Sequence, residues 1–320
     1  MPGAAWPSPQ QGWPPQQGWQ PQPGWSPQPG WPGPGWQSAY DWNDPLVNPP
    51  GAGVGGWFAR SWAAARRSWR PLLPILLLTQ IAPAIAVSLV AVPFEAEALA
   101  EPATAEVTTG DLRLMLGNLF VYYGVLLGGA VLAAVVQAIG WAAGFRVLAG
   151  QAAGQPVSVG DAFRYGVRRA PGLWAWSLLV GLIIAVGLCA CVLPGFYLAF
   201  ALSMTLPVYV FERRNPIGRS FGMVHTQFGM ALGRIAIIVG LAVGCSLGVV
   251  VLQALGIAAT GGSLTGPSTL TPGYVVVTVV ATVFFLPAYL LVQVGLLTTY
   301  AELRGSEAPV TTTRLAGELG

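Results

Sequence analysis

The sequence predicts an all-α transmembrane protein, a bundle of six membrane-spanning helices behind a long N-terminal tail. Only 8% of the 320 residues are charged and 54% are hydrophobic, whereas soluble domains carry about 25% charged residues. A surface that faces water cannot be built from so few charges. The charge-free stretches are also long, and they cover residues 71–94, 114–145, 170–211 and 235–301.

The length of these stretches sets the number of spans. A helix rises about 1.5 Å per residue and the hydrocarbon core of a bilayer is about 30 Å thick, so one span needs about 20 residues. The first two stretches therefore hold one span each, and the last two hold two each. Pro194-Gly195 predicts a turn inside the third stretch, and the Gly, Ser, Thr and Pro of residues 260–272 predict a loop inside the fourth. The predicted spans are residues 71–92, 117–145, 173–193, 195–211, 235–258 and 274–300.

Residues 1–56 form a predicted disordered tail, rich in Pro, Gln, Gly and Trp. Pro and Gly at this density prevent helix and sheet and favour an extended, polyproline-like chain. Tryptophan recurs in it at Trp6, Trp13, Trp19, Trp25, Trp31 and Trp36. At about three residues per turn, such spacing places the rings on one face. The tail is either an adhesive segment that meets partners or the lipid interface, or a repeat-expanded segment without a specific role.

The arginines predict the orientation of the bundle, because positively charged loops stay in the cytoplasm. Lys is absent from the chain, a composition typical of a high-GC bacterium, and every arginine except Arg113 falls on one side of the predicted spans. The loop that contains Arg113 is acidic instead. Both termini are therefore predicted to lie in the cytoplasm of a bacterium. The six-span membrane domain covers residues 57–301, and residues 302–320 form a short cytoplasmic tail.

Three arginine clusters lie on segments whose apolar residues recur at helical spacing. The stripes are Phe58, Trp62, Ala65 and Trp69; Phe163, Val167, Ala170 and Trp174; and Ile217, Phe221, Val224 and Phe228. Positions i, i+4, i+7 and i+11 make one face of a helix. With arginine on the other face, each segment is predicted to be an amphipathic helix in the membrane plane. The three are either a threefold repeat of a helix and a two-span hairpin, or unrelated juxtamembrane anchors.

The predicted spans contain no Asp, Glu, Arg or His that could form an ion path or a catalytic centre. Their strongest polar residues are Gln80, Gln137, Gln253 and Gln293. These form either a substrate path or interhelical hydrogen bonds worth about 0.6–2 kcal/mol each. Glycine pairs spaced as G-x-x-x-G let helices approach closely, but among 42 glycines they are a weak signal for a specific dimer. The pairs considered are Gly124 with Gly128 and Gly240 with Gly244.

His225 is the single histidine, and no second histidine or cysteine cluster stands near it in the sequence. Neither a zinc site nor a Ser-His-Asp triad is predicted. His225 is placed on the polar, solvated side of the third amphipathic segment. A membrane-embedded enzyme would need His225, Glu212 and Asp161 to meet. The sequence therefore predicts no catalytic, cofactor-binding or metal-binding residue.

The run VLPGFYLAFALSMTLPVYVFERRNPIGRSFGMVHTQFG, which begins at Val192, resembles a bacterial, actinobacterial-type family of six-span proteins. Its members are labelled glycerophosphoryl diester phosphodiesterase membrane domain, or domain of unknown function. The family pattern has a Pro-Gly-aromatic entry into a span, a later proline, a glutamate at its end and an Arg-Ser pair in the next amphipathic helix. The matching residues are Pro194, Gly195, Tyr197, Pro207, Glu212, Arg219, Ser220 and Phe221. The stretch GQPVSVGDAFRYGVRRAPGLW also looks like the family's loop between spans two and three.

The resemblance covers about residues 57–300 and is specific over 150–234. It implies the membrane architecture. Independently of the resemblance, Pro207 inside the fourth span predicts a kink there. The phosphodiesterase label implies fusion to a separate catalytic domain, whose His and acidic residues this chain does not supply.

The sequence thus predicts a non-enzymatic scaffold, partner subunit or lipid-associated protein without a cofactor. The alternative is a transporter or permease with a polar midplane path around Gln137, Gln253 and Gln293. Expected partners are membrane lipids, and a protein partner or a second copy of the chain; no nucleic acid is expected.

Overall fold

A computed structural model of the protein describes residues 41–98, 108–260 and 269–319, and these ranges are almost entirely helical. Within them, six helical stretches are long and apolar enough to cross a membrane. They are Gly53–Ala98, Thr109–Ala152, Val159–Ala190, Val192–Glu212, Phe228–Ala259 and Pro272–Glu307. The predicted fold class is confirmed, and the protein is an integral membrane protein. The part of the predicted tail that covers residues 1–40 lies outside the described residues.

Helix breaks divide some of the spans into pairs of helices. In chain order the helices are α1 Gly53–Leu76, α2 Ala82–Ala98, α3 Thr109–Ala152, α4 Val159–Ala190, α5 Val192–Ala201, α6 Thr205–Glu212, α7 Pro216–Thr226, α8 Phe228–Ala259, α9 Pro272–Phe284, α10 Leu286–Glu307 and α11 Thr312–Glu318. One π-helical turn, Leu77–Ile81, joins α1 to α2 without interrupting the helix. The first span is therefore α1 with α2, the fourth is α5 with α6, and the sixth is α9 with α10.

The three amphipathic segments are helical, but only the third is a helix of its own. The first is the N-terminal part of α1 and the second is the start of α4, which passes Pro171 without ending. Ser158 caps α4 by accepting a hydrogen bond from the Asp161 N–H at 3.0 Å. Asn215 caps α7, whose first residue is proline. The threefold repeat stays a prediction.

The turn between the third and fourth spans lies at Cys191, a few residues before the predicted Pro194-Gly195. α4 ends at Ala190, and Cys191 alone is extended between the two helices. Pro194 falls in the first turn of α5, where its missing N–H is not needed. Gly195 lets α5 approach α4 closely. It lies opposite Gly187 of α4, and a Cβ on Gly187 would lie 3.1 Å from the Gly195 Cα. Two glycines thus let the two arms of the hairpin touch.

The helix of the fourth span is interrupted one turn before Pro207, between the end of α5 at Ala201 and the start of α6 at Thr205. Pro207 cannot donate to the Ser203 carbonyl, and its ring crowds that oxygen. The predicted kink at Pro207 therefore appears as a break ahead of it. The sixth span is interrupted in the same way at Phe285, two residues before Pro287. The sequence prediction treated this span as one unbroken helix.

The buried core lies at one end of the bundle, which carries every arginine except Arg113; we call it the arginine-rich end. Phe145, Leu297 and Tyr300 are fully buried there. Toward the other end the helices expose large apolar side chains, and Phe120 is 79% exposed. Outward-facing apolar side chains suit contact with lipid, because the bilayer core offers no partner to polar groups.

Gly140 and Gly144 let two helices pack directly on the backbone of α3. A Cβ on Gly140 would lie 2.0 Å from the Thr79 Oγ1, and one on Gly144 would lie 2.1 Å from the Gln293 Nε2. This is the close approach that G-x-x-x-G permits. The sequence also contains the G-x-x-x-G pairs Gly124 with Gly128 and Gly240 with Gly244. Within the described residues of one chain, no neighbouring side chain or helix lies within 4 Å of a Cβ on any of those four, so they are not the glycines at which its helices pack.

Gly166 provides a test of helix packing between α3 and α4. A Cβ there would lie 2.6 Å from the Ile139 carbonyl oxygen, and a backbone atom cannot move aside without separating the helices. We expect Gly166→Ala to lower the free energy of unfolding by about 1–3 kcal/mol. The matched change on α4 is Gly181→Ala, where nothing lies within 4 Å.

Because alanine is the better helix former, Gly181→Ala is expected to leave stability unchanged or raise it by up to about 1 kcal/mol. Denaturant unfolding in detergent compares the two variants. Equal stabilities would contradict the packing described here.

Candidate functional site at the arginine-rich end

A buried ion pair joins α8 to α10. Arg234 donates from Nε and from Nη2 to the two carboxylate oxygens of Glu302, both at 3.0 Å. The two side chains are only 5% and 7% exposed. The Arg234 guanidinium also lies over the ring of Trp57, 5.7 Å from its centroid. Such a two-bond contact gives the charges a defined geometry as well as attraction.

Asn48, in the segment before α1, binds the carboxylate of this ion pair. The Asn48 Nδ2 donates to the Glu302 Oε1 at 2.7 Å. The Asn48 Oδ1 in turn accepts from the Arg60 Nη1 at 3.0 Å. Arg60 also donates to the backbone carbonyls of Asp44 and Trp42, at 3.0 and 2.8 Å. Residues 42–48 are thereby held against α1 and α10.

Asp44 joins this segment to the C-terminal helix. Its carboxylate accepts from the Thr312 N–H at 2.8 Å and from the Thr312 hydroxyl. It also accepts from the backbone N–H groups of Leu46 and Val47, at 2.9 and 2.7 Å. Leu46 is completely buried, as is Leu315 on α11. Both ends of the described chain are therefore part of the bundle.

Two predicted boundaries differ from this arrangement. Residues 41–56 were assigned to the disordered tail, yet Asp44, Leu46, Val47 and Asn48 are buried. Residues 302–320 were assigned to a C-terminal tail, yet α10 continues to Glu307 and α11 packs against the bundle. Apolar runs as short as Leu46-Val47 have no periodicity, so their burial depends on distant partners. The one local signal was the turn chemistry of Asp44-Pro45 and Asn48-Pro49.

A second set of contacts links α6, α7 and α10. Arg219 donates from Nε to the Glu212 Oε2 at 2.8 Å and from Nη1 to the Glu307 Oε1 at 3.0 Å. Burial lowers the pKa of Arg219, but hydrogen bonds to Glu307 and Glu212 outweigh it and raise the pKa above its ordinary value. Arg219 therefore stays charged between its two carboxylates.

Tyr300 and Arg304 extend these contacts to α11. The Tyr300 hydroxyl donates to the Glu212 Oε1 at 3.1 Å and accepts from the Arg304 Nη1 at 3.2 Å. Arg304 also donates from Nη2 to the Glu318 Oε1 at 2.7 Å. Glu212, Glu302 and Glu318 are thus each engaged by an arginine. Their arrangement fastens helices together.

Ser220 closes the break between α5 and α6. Its Oγ donates to the Ala201 carbonyl at 2.8 Å and accepts from the Met204 N–H at 3.2 Å. Backbone groups released at a break inside an apolar bundle are costly unless another group satisfies them. The adjacent Arg219 and Ser220 therefore have two roles: Arg219 binds carboxylates and Ser220 binds backbone groups.

His225 lies among aromatic rings rather than on the polar side of α7. Its ring stacks on Phe221, with centroids 4.0 Å apart. Its Nε2 lies 2.7 Å from the Tyr197 hydroxyl, and its Nδ1 lies 2.7 Å from the Phe221 carbonyl oxygen. The i, i+4 relation to Phe221 puts the half-buried His225 beside the apolar stripe.

The residues that a membrane enzyme would require belong to separate contacts. Glu212 binds Arg219 and Tyr300, His225 contacts Tyr197, and Asp161 is exposed at the start of α4. Across residues 41–98, 108–260 and 269–319, no group of three His, Cys, Asp or Glu could hold a metal ion.

The Gln293 and Gln80 side chains both bind the backbone of α3. The Gln293 Nε2 donates to the carbonyls of Gly140 and Trp141, at 3.2 and 3.1 Å. The Gln80 Nε2 donates to the Gln137 carbonyl at 3.3 Å. These are interhelical hydrogen bonds to the backbone of α3.

Gln253 stands apart from the other three. At about 1.5 Å per residue, Gln293 lies about 14 Å from Glu302 along α10, and Gln253 lies about 28 Å from Arg234 along α8. Because Arg234 and Glu302 are paired, the two glutamines are separated by about 15 Å along the bundle.

An apolar groove of about 290 Å³ lies between α1 and α10; we call it the α1–α10 groove. It is lined by Trp62, Ala65, Arg66, Trp69 and Leu73 on α1 and by Leu286, Pro287, Leu290 and Leu291 on α10. Trp62 and Trp69 are about half exposed, whereas Trp57, Ser61 and Leu72 face the core. The aromatic stripe of the first segment thus faces outward, as expected of an interfacial surface.

Comparison of the chain with protein-family models, with curated proteins and with solved structures found no match. The resemblance to the six-span family therefore stays a prediction, together with what it implies.

Removing one charge of the buried ion pair is expected to lower the free energy of unfolding more than removing both charges. Arg234→Met leaves the Glu302 carboxylate buried without its cation, and we expect the free energy of unfolding to fall by about 3–5 kcal/mol. Combining Arg234→Met with Glu302→Gln removes both charges, keeps an acceptor for Asn48 and should cost less.

Arg164→Met is the control, because Arg164 and Asp161 are exposed and 3.8 Å apart; its cost should stay below about 1 kcal/mol. Thermal unfolding in detergent ranks these variants. A double variant less stable than Arg234→Met would count against the expectation.

Ser220→Ala tests the closure of the helix break. We expect it to destabilise the protein by about 1–3 kcal/mol, because the Met204 N–H and the Ala201 carbonyl lose their partner in an apolar surrounding. Ser246→Ala is the matched control, since the exposed Ser246 hydroxyl only donates to the Ala242 carbonyl of its own helix. Indistinguishable unfolding curves for the two variants would rule out this role for Ser220.

Proposed function

We propose that the protein is a non-enzymatic scaffold or partner subunit of a bacterial cytoplasmic membrane, and that the Trp-rich segment before residue 41 is its partner-binding element. The observation that carries this proposal is the buried anchor that begins at Asp44. The contacts of Asp44 with Thr312 and of Asn48 with Glu302 hold the chain to the bundle directly after the Trp-rich repeats. A binding segment attached in this way starts from a defined place on the membrane domain.

The use of the buried charges supports a non-enzymatic protein. Catalytic groups need to reach a substrate, whereas Glu302, Arg234 and Glu212 are occupied by one another or by neighbouring side chains. Their contacts join α6, α7, α8 and α10 with both ends of the described chain. A stable platform is the expected result of such a network.

The distribution of arginine supports the orientation that the proposal requires. The arginine-rich end carries both the Asp44 anchor and α11. Because cytoplasmic surfaces of membrane proteins concentrate arginine, both termini are proposed to lie in the cytoplasm. A partner would therefore be a cytoplasmic protein, or a second membrane protein with a cytoplasmic part.

The composition of the Trp-rich segment supports contact with a protein. Regularly spaced tryptophans on a proline-rich chain offer large apolar rings at low cost in conformational entropy. Aromatic side chains of this kind dominate the binding energy of many interfaces. A transporter is the alternative proposal, but the separation of Gln253 from Gln293 gives it little support.

Purification in native lipid tests the proposal. We expect the full chain to retain a protein partner in a fixed ratio. We expect that partner to be lost when the six tryptophans Trp6, Trp13, Trp19, Trp25, Trp31 and Trp36 are changed to alanine, because the rings supply the contact area. The matched control changes six glutamines of the same segment to alanine.

Quantitative mass spectrometry of the co-purified proteins gives the ratio. Loss of the partner with the tryptophan variant alone supports the proposal. Equal retention by the two variants, or a tightly held small molecule in place of a protein, would overturn it.

A further inference from the structure

The α1–α10 groove changes in character along its length. Its walls are apolar side chains, while Arg66 stands beside Trp62 and Trp69 on α1. Trp62 is 52% exposed and Trp69 is 47% exposed, so both rings reach the outer surface of the bundle. Indole rings favour the boundary between headgroups and hydrocarbon, because one edge is polar and the rest is apolar.

The register of α1 and α10 gives the direction of this change. The Trp57 Nε1 donates to the Thr299 Oγ1 at 3.1 Å, and the Ser61 and Thr298 hydroxyls lie 2.8 Å apart. The two helices are therefore antiparallel, and the arginine-rich end is at Trp57. Leu73 stands seven residues beyond Arg66, which places it about 10 Å deeper along the helix.

The opposite wall follows the same gradient. Leu286 and Pro287 begin α10 immediately after the break at Phe285, at the deep end of the groove. The groove therefore runs from an arginine near the membrane surface to leucine and proline inside the hydrocarbon layer. A phospholipid has the same arrangement: its charged phosphate would lie at the arginine, and its apolar acyl chain would lie along the leucines and the proline.

We propose that the α1–α10 groove holds one acyl chain of an anionic phospholipid from the surrounding bilayer, with the phosphate bound by Arg66. The volume of about 290 Å³ is at the lower end of ligand pockets, which span about 300–1,000 Å³. It suits one hydrocarbon chain rather than a whole lipid. Charge complementarity selects an anionic headgroup, because Arg66 is exposed and Arg70 lies close by over the ring of Trp69.

Native mass spectrometry of the full chain, titrated with phosphatidylglycerol or with phosphatidylcholine of the same chain length, tests the site. We expect one phosphatidylglycerol molecule to bind more tightly than phosphatidylcholine. Arg66→Gln should weaken phosphatidylglycerol binding about fivefold, since one arginine near a membrane surface contributes about 1 kcal/mol. It should leave phosphatidylcholine binding unchanged.

Arg168→Gln is the matched control, because it removes the same charge from an exposed position on α4 outside the groove. It should alter neither lipid. Equal weakening by Arg66→Gln and Arg168→Gln would mean that net charge attracts the lipid, and would overturn the site. Arg66→Lys, which keeps the charge, should bind phosphatidylglycerol nearly as well as the wild-type chain.

A groove-filling substitution tests whether the acyl chain occupies the groove. Leu290→Trp fills the groove and should weaken both lipids, because it excludes the chain regardless of headgroup. Leu73→Trp does the same from the facing wall if Leu290→Trp does not fold, as judged by its unfolding temperature. Lipid binding unchanged in a folded groove-filling variant would overturn the proposal, as would a dimer of the protein that either variant dissociates.

The lipid site is a property beyond the scaffold function, and the two proposals can be tested independently. The lipid site depends on Arg66 and the groove, whereas partner binding is assigned to the Trp-rich segment. A chain that loses lipid with Arg66→Gln but keeps its protein partner supports the groove alone.

Discussion

The buried pair of Arg234 and Glu302 is the interaction on which the arginine-rich end depends. Taking two charges out of water costs several kcal/mol for each ion, so the pair persists only where its geometry is good and its other hydrogen-bonding positions are filled. Trp57 covers the guanidinium, and Asn48 completes the carboxylate. Because Asn48 and Glu302 stand 254 positions apart in the chain, satisfying this one carboxylate brings the segment before α1 against the sixth span.

Unpaired backbone groups impose a similar constraint deeper in the bundle. Proline interrupts the fourth span, and Ser220, from the helix that follows, supplies the missing hydrogen bonds. Gln293 binds two carbonyls of α3 across Gly144, whose missing side chain gives the amide its space. Ser220 thus satisfies backbone groups freed at a helix break, whereas Gln293 adds hydrogen bonds between helices to the unbroken α3.

The outer surface of α1 and α10 and the network of paired charges are separate features of the arginine-rich end. The half-exposed rings of Trp62 and Trp69 on α1 and the partly buried leucines of α10 line the α1–α10 groove, and Arg66 stands beside them. The paired charges behind that surface hold both ends of the described chain against the bundle. The lipid site and the partner-binding segment proposed above would therefore lie on separate parts of the arginine-rich end.

By itself, the sequence determined the membrane architecture: six spans, the proline that interrupts the fourth, and the arginine asymmetry. Hydrophobic length and charge are sums over consecutive residues, so they can be compared directly with a bilayer of known thickness. Only the tertiary structure decided that residues 44–48 and α11 belong to the bundle, that His225 joins an aromatic cluster, and that Gly140 and Gly144 are the packing glycines. Those facts depend on which helices are neighbours, and no local pattern in the chain contains that information.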